Sequence, residues 1–180
     1  LLVRHGETDW NVALRLQGHT DTVLNARGRA QAHRLRQALA GETLDAVYSS
    51  DLQRAWATAQ AIAEATGAPL HPETALRERG FGCFEGLTLA EIEARWPEAA
   101  RRWRTRDPGF GPDGGEVLQD FFTRCVTAAQ RLAARHAGGS IALVAHGGVL
   151  DSLYRAATRV ALDAPRSWRM ANASLNRLLH

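Results

Sequence analysis

The stretch Ile141-Ala142-Leu143-Val144-Ala145-His146-Gly147-Gly148 sets the fold class. Five apolar residues run without alternation, the pattern of a strand covered on both faces. The strand ends at His146, and Gly147-Gly148 opens a helix expected over Val149 to about Thr158. The rest of the chain repeats this order. Leu1-Leu2-Val3 is apolar and stops at Arg4-His5, so it reads as the end of a buried first strand. Arg27 to Ala40 carries small or apolar residues at helical spacing (Ala30, His33, Leu35, Ala38, Leu39), with Gly41 as C-cap. Leu44 to Tyr48 predicts a short strand. Ser49-Ser50-Asp51 supplies N-cap residues for a helix to about Thr66, closed by Gly67. A short strand is expected over Ala68–His71. A glycine-bearing loop follows over Leu76–Gly86, then one or two helices over Leu87–Arg104, broken near Pro97. After the Pro- and Gly-rich loop Asp107–Gly115, a long helix spans Val117–His136, with Phe121, Phe122, Val126, Ala129 and Leu132 on one side. Ala173–Leu179 is a candidate last strand.

Strands that alternate with helices predict an α/β fold, a three-layer α/β/α sandwich whose mostly parallel sheet carries helices on both faces. One domain is expected over residues 1–180, with a small helical cap-like insertion around 79–116. Its 180 residues suffice to bury roughly 70% of the unfolded surface. The composition, 45% hydrophobic and 23% charged, excludes disorder, collagen and a disulfide scaffold. Cys83 and Cys125 form no CxxC and no metal cluster; they read as buried free thiols in a reducing, cytoplasmic compartment. No apolar run approaches the ~20 residues a membrane span needs. No signal peptide is visible, and with Leu1 in place of Met the sequence is expected to lack its true N-terminus. Net charge is +3. The acidic residues are interspersed with arginines, so nucleic acid is not the expected partner, and the run Arg101–Arg106 reads as a solvated helix face. The surplus charge suits an anionic small molecule.

Polar residues gather just after the predicted strands: Arg4-His5-Gly6-Glu7-Thr8, Ser49 to Arg54, and His146-Gly147-Gly148. Parallel topology brings these strand ends to one edge. Arginine forks match phosphate oxygens, and helix N-termini add N–H donors. A neutral imidazole in such a pocket can attack phosphorus. A carboxylic acid beside the phosphate can protonate the leaving oxygen.

These blocks resemble the histidine phosphatase (phosphoglycerate mutase-like) superfamily. The likeness runs from Leu2-Val3-Arg4-His5-Gly6-Glu7-Thr8 through Leu16-Gln17-Gly18, Tyr48 to Ala55, Leu76-Arg77-Glu78 and Phe81 to Thr88 to Val144-Ala145-His146-Gly147-Gly148, in the family's order. The resemblance implies that His5 is the nucleophile, Arg4 and Arg54 the phosphate clamps, His146 a second pocket histidine and Glu78 the proton donor. Asn11, Gln17, Gly18 and Gly147 are expected on the substrate side, Asn11 with a turn role as the alternative. Glu85, in the same glycine-rich segment, is read as structural. No metal and no cofactor are implied, because arginine and histidine supply the positive charge. His19, His33, His71, His136 and His180 match no motif and are read as surface or core residues. Trp96 and Trp103 are read as helix-packing aromatics.

The implied activity is a metal-independent phosphomonoesterase acting through a phosphohistidine on small phosphorylated metabolites, with a homodimer as the candidate assembly. Asp113-Gly114-Gly115-Glu116 and the Phe81–Thr88 segment resemble the phosphatase branch. Arg79 after Glu78 and the pair Arg101-Arg102 resemble a 2,3-bisphosphoglycerate-dependent mutase, which is the alternative; a catalytically silent phosphate-binding module is a second. Val117 stands where many such phosphatases carry serine, and a missing substrate-side hydroxyl is the expectation there.

Overall fold

The computed structural model describes residues 1–179; His180 lies outside them. In chain order the elements are β1 (Leu2–Arg4), α1 (Asp9–Val12), α2 (Ala26–Ala38), β2 (Ala46–Ser49), α3 (Gln53–Thr66) and β3 (Leu70–Pro72). Two 3-10 turns follow, Thr74–Leu76 and Gly82–Phe84. Then come α4 (Leu89–Arg95), α5 (Pro97–Arg104), α6 (Leu118–Arg135), β4 (Ile141–Ala145), α7 (Gly147–Thr158) and β5 (Leu175–Asn176). The sheet order is β3-β2-β4-β1-β5, with β5 alone antiparallel.

Alternate residues of a strand face opposite sides, and here both sides are apolar. Leu2, Leu143 and Ala145 meet Phe121 and Leu132 of α6 and Val149 and Leu150 of α7. Val3, Val47, Ala142 and Val144 meet Leu35 and Leu39 at α2 and Ala59 and Ile62 of α3. The unbroken apolar run of β4 therefore serves two cores at once, and the result is the expected α/β/α sandwich. A third cluster, Phe81, Phe84, Ile92, Ala100 and Phe110, gathers the α4–α5 segment around Trp96 and Trp103. Pro97 opens α5 at its first turn, where a missing N–H costs nothing.

Several local expectations shift. The four-residue α1, opened by a Thr8–Asn11 capping box, is an addition to the expected elements. α2 stops at Ala38 with Leu39 as its cap, so Gly41 lies beyond it. Its buried face is Gly28, Ala32, Leu35 and Leu39, while Ala30, His33 and Ala38 are exposed. On α6 the buried line is Leu118, Phe121, Cys125, Ala128 and Leu132, with Phe122 at its margin. The N-cap of α3 is Leu52, not Ser49, Ser50 or Asp51, whereas Gly67 closes it in the left-handed region as expected. α7 begins at Gly147, two residues early. The last strand shrinks to two exposed residues. Cys125 is buried but Cys83 is exposed. No described helix is long and apolar enough to cross a membrane.

Candidate active site

The loops after β1, β2 and β4 meet at the carboxyl edge of the sheet. The His5 N–H bonds the Ala145 carbonyl at 2.9 Å, which extends the β1–β4 pairing by one residue. His5 Nδ1 lies 2.6 Å from the Gly6 carbonyl. A carbonyl only accepts, so Nδ1 carries the proton and Nε2 keeps its lone pair. His5 is buried, and burial, with Arg54 and Arg4 beside it, holds its pKa well below 6.5. The ring is therefore neutral at neutral pH. His146 lies 5.1 Å away, centroid to centroid. It too is held neutral, by burial first and then by Arg54 and His5. Its Nε2 is 2.8 Å from the Ser50 hydroxyl. A hydroxyl donating there puts the ring proton on Nδ1, which is buried and has no partner among the described residues.

Arg54 sits in the first turn of α3, fully buried, and donates to the carbonyls of Thr20 (3.0 Å) and Gly18 (2.8 Å). Arg4 donates to the Met170 carbonyl. The Nε of each is buried without a partner among the described residues. Burial lowers both guanidinium pKa values, and the Glu78 carboxylate opposes that in each case. Gly18 has φ +54°, and a Cβ there would sit 2.1 Å from Glu85 Oε1. Glu85 accepts the N–H groups of His19, Thr20 and Phe81 and the Thr20 hydroxyl. It thus shapes the loop whose carbonyls hold Arg54, in keeping with the structural role expected of it.

The Glu78 carboxylate accepts the N–H of Arg79 and, at the start of α7, that of Gly148, both at 3.0 Å. A helix N-terminus favours a carboxylate placed there. A Cβ on Gly148 would lie 2.3 Å from Glu78 Oε1. The residue that lets the carboxylate approach α7 is therefore Gly148; Gly147, named from the sequence, lies beside Arg4, 3.5 Å from its Nε by the same measure. Arg77 grips Asp51 through two bonds and ties the Glu78 loop to the loop after β2. His19, exposed, lies with Nε2 2.9 Å from the Glu78 carbonyl.

Asn11 Oδ1 accepts from the Thr8 N–H and from Asn172, while the Asn11 N–H donates to the Thr8 hydroxyl. Its amide hydrogens are what it could offer a phosphate. The Gln17 carbonyl is taken likewise by the Thr8 and Thr22 hydroxyls. Three contributors were not singled out. Ser50 orients His146. Thr58 accepts the Gly6 N–H at 3.0 Å. Asn172 donates to the carbonyls of His5 and Gly6. Ser50 stood in a marked block but was read as a cap; Thr58 and Asn172 carry no local signal. Val117 is the N-cap of α6 with no side-chain bond, so a serine there would cap a helix.

Beyond Glu78 and Gly148 opens a cavity of about 620 Å³, with Trp103 and Arg79 in its wall. Trp103 also packs edge-on against Phe81, so it is a packing aromatic that lines the cavity as well. Arg101 and Arg102 do not line it: they pair with Glu98 and Asp107. Arg101 fits the solvated helix face expected of this run; Arg104 is exposed but also borders the cavity, and Arg106 lies past the helix and turns into the cavity wall. The whole assembly offers a neutral imidazole whose Nε2 has no partner among the described residues, two buried guanidiniums and a carboxylate, a set suited to phosphoryl transfer.

Comparison with known proteins agrees with this chemistry. Residues 1–180 match the profile of the histidine phosphatase superfamily (branch 1). The chain is 41% identical to phosphoglycerate mutase-like protein 4 of Arabidopsis thaliana, over 98% of this chain and 76% of that protein. It is 37% identical to a metal-independent phosphoserine phosphatase of the same plant, over 98% and 74%. A mycobacterial glucosyl-3-phosphoglycerate phosphatase solved with VO3 superposes with a TM-score of 0.85 at 36% identity, covering 96% of this chain and 87% of that one.

Proposed function

This chain belongs to the histidine phosphatase superfamily (branch 1), and from that premise we propose a two-step phosphomonoesterase in which His5 carries the phosphoryl group. It is a metal-independent phosphoric monoester hydrolase. The observation that carries the mechanism is the His5 ring, neutral, with Nδ1–H fixed on Gly6 and Nε2 free beside Arg4 and Arg54. Nε2 attacks phosphorus; the P–N bond forms as the bond to the leaving oxygen breaks, and Glu78, entering this step as the carboxylic acid, delivers the proton that oxygen needs. Glu78, now a carboxylate, takes a proton from water. The water oxygen attacks phosphorus, the P–N bond breaks, and phosphate leaves with His5 restored. Arg4, Arg54 and His146 Nδ1–H stabilise charge on the three equatorial oxygens. Residues 79–116 form the cap over the leaving-group side. The substrates are small phosphorylated metabolites, as the names of the relatives support, and the unpaired Cys125 supports a reducing, cytoplasmic setting.

The mutase reading keeps one observation, Arg79 directly after Glu78, but the Arg101-Arg102 pair no longer supports it. Phosphorus NMR with 3-phosphoglycerate and a trace of 2,3-bisphosphoglycerate separates the two. Accumulating inorganic phosphate is expected; rapid appearance of 2-phosphoglycerate would make the enzyme a mutase. His5→Ala should lose on the order of 10³-fold or more in turnover, and retained activity would sink the nucleophile assignment.

A further inference from the structure

The loop that carries His5 is pinned peptide by peptide. Between His5 and Gly6, the His5 carbonyl accepts the Ala173 N–H and the Asn172 side chain, each at 3.1 Å. The Gly6 N–H at the other end of that peptide donates to the buried Thr58 hydroxyl at 3.0 Å. Between Gly6 and Glu7, the Gly6 carbonyl accepts His5 Nδ1–H at 2.6 Å and Asn172 at 3.3 Å. The Glu7 N–H donates to Gln31 Oε1 at 2.8 Å. A Cβ on Gly6 would lie 2.6 Å from the Gly28 carbonyl oxygen, so the loop is seated directly on α2. Of these side chains, Asn172 alone bonds both peptides.

Asn172 also reaches Asn11 Oδ1, at 3.1 Å. The partners identify each amide atom. The His5 and Gly6 carbonyls only accept, so the Asn172 atom facing them is Nδ2. The Asn11 atom takes the Thr8 N–H, so it is Oδ1. Asn172 Nδ2 therefore spreads two hydrogens over three oxygens, one bond being shared. The consequences run in two directions. The Gly6 carbonyl is held where His5 Nδ1–H finds it, which leaves His5 Nε2 for phosphorus. Asn11 Oδ1 is held by Thr8 and Asn172, which leaves the Asn11 amide hydrogens for a phosphoryl oxygen.

We propose that Asn172 is a positioning residue that touches no substrate: through one amide nitrogen it fixes the tautomer of His5 and the amide orientation of Asn11 together. The proposal rests on the phosphatase reading above. Its test is a double-mutant cycle of Asn172→Ala and Asn11→Ala, read as kcat/KM on 4-nitrophenyl phosphate. Asn172 is half-buried, and Asn172→Ala keeps the main-chain bonds of Ala173, so the fold is not at stake. Asn172→Ala should lose about 10–100-fold, the range of a charge-assisted hydrogen bond. The double variant should be about fivefold or more better than the product of the two single losses, because residues in contact couple. Independent, multiplying losses overturn the proposal. Asn172→Asp keeps the shape but its carboxylate only accepts, so it should lose at least as much as Asn172→Ala. An Asn172→Asp enzyme as active as the wild type overturns it too, since shape alone would then suffice. The resting enzyme gives a readout that needs no turnover. In nitrogen NMR with labelled histidine, the His5 signals, identified by their absence in His5→Ala, should show Nδ1 protonated and Nε2 bare. In Asn172→Ala they should move toward a mixture of the two tautomers, and unchanged signals refute the His5 half of the proposal. A wild type inert on 4-nitrophenyl phosphate overturns the phosphatase reading, while the ring signals still decide what Asn172 does.

Discussion

Gly148→Ala tests how the proton donor is held. The added Cβ would lie 2.3 Å from Glu78 Oε1 and 3.1 Å from Phe121 Cζ, where ordinary contact begins at 3.4 Å. The Phe121 ring needs a few tenths of an ångström. Oε1 must retreat by roughly 1 Å, which breaks its 3.0 Å bond from the Arg79 N–H and turns the carboxylate off the 3.0 Å bond that Oε2 accepts from the Gly148 N–H. A misplacement of that size costs on the order of 10²-fold in rate, or about 2.7 kcal/mol of barrier. The backbone is not strained, since Gly148 is helical, and Ala for Gly adds up to ~1 kcal/mol of helix stability. Thermal stability should therefore hold while kcat on an alkyl phosphate falls about 100-fold. Turnover of 4-nitrophenyl phosphate, whose leaving group departs without a proton, should fall far less. Shortening the acid in Gly148→Ala/Glu78→Asp should recover part of the loss. Equal losses on both substrates would refute the reasoning, because the turn would then be holding the phosphate rather than the acid.

Three further outcomes follow from buried groups. His5 and His146 are neutral when folded, with pKa values well below 6.5, so the unfolded chain binds more protons as pH drops; their stabilisation is present above pH 6.5 and lost progressively below it, which a Tm series from pH 7.5 down to 5 checks. Asp151→Ala leaves Arg155 buried with no carboxylate and should cost about 3–5 kcal/mol, a fall in Tm of roughly 10 °C. Val117→Ser supplies the missing cap of α6 and should raise stability by about 1 kcal/mol, read as a Tm gain of roughly 2–4 °C.

What was legible in the chain depended on how local its cause is. β4 showed itself because burial on two faces removes polar alternation from five consecutive residues. The break at Pro97 and the left-handed close at Gly67 were legible because each obeys a one-residue rule. The face of α2 was misjudged because Gly28 and Ala32 bury as well as leucine does while looking neutral in a hydrophobic pattern. α1 is a single turn, too short for periodicity to register. Ser50 looked like a cap because a serine after a strand is ambiguous until the helix start is known, and the helix starts at Gln53. Asn172 acts on a loop 167 residues earlier, a relation no local pattern encodes. Arg79 stands out in the sequence only through its neighbour Glu78, since its burial against Trp103 depends on how α5 folds back.

The first strand lies in the sheet between β4 and β5, and its loop is fastened by the far end of the chain: the Ala173 N–H bonds the Arg4 and His5 carbonyls, and Asn172 adds two more bonds. A ribosome makes the chain in the opposite order to its need. At about 5–20 residues per second, the first strand waits roughly ten to thirty seconds for both of its neighbours. Nascent fragments hold the nucleophile early but not the frame that keeps it neutral and aimed. Phosphatase activity in a translation reaction should therefore switch on only when residues 170–174 have emerged, which makes turnover a clock for the arrival of that segment.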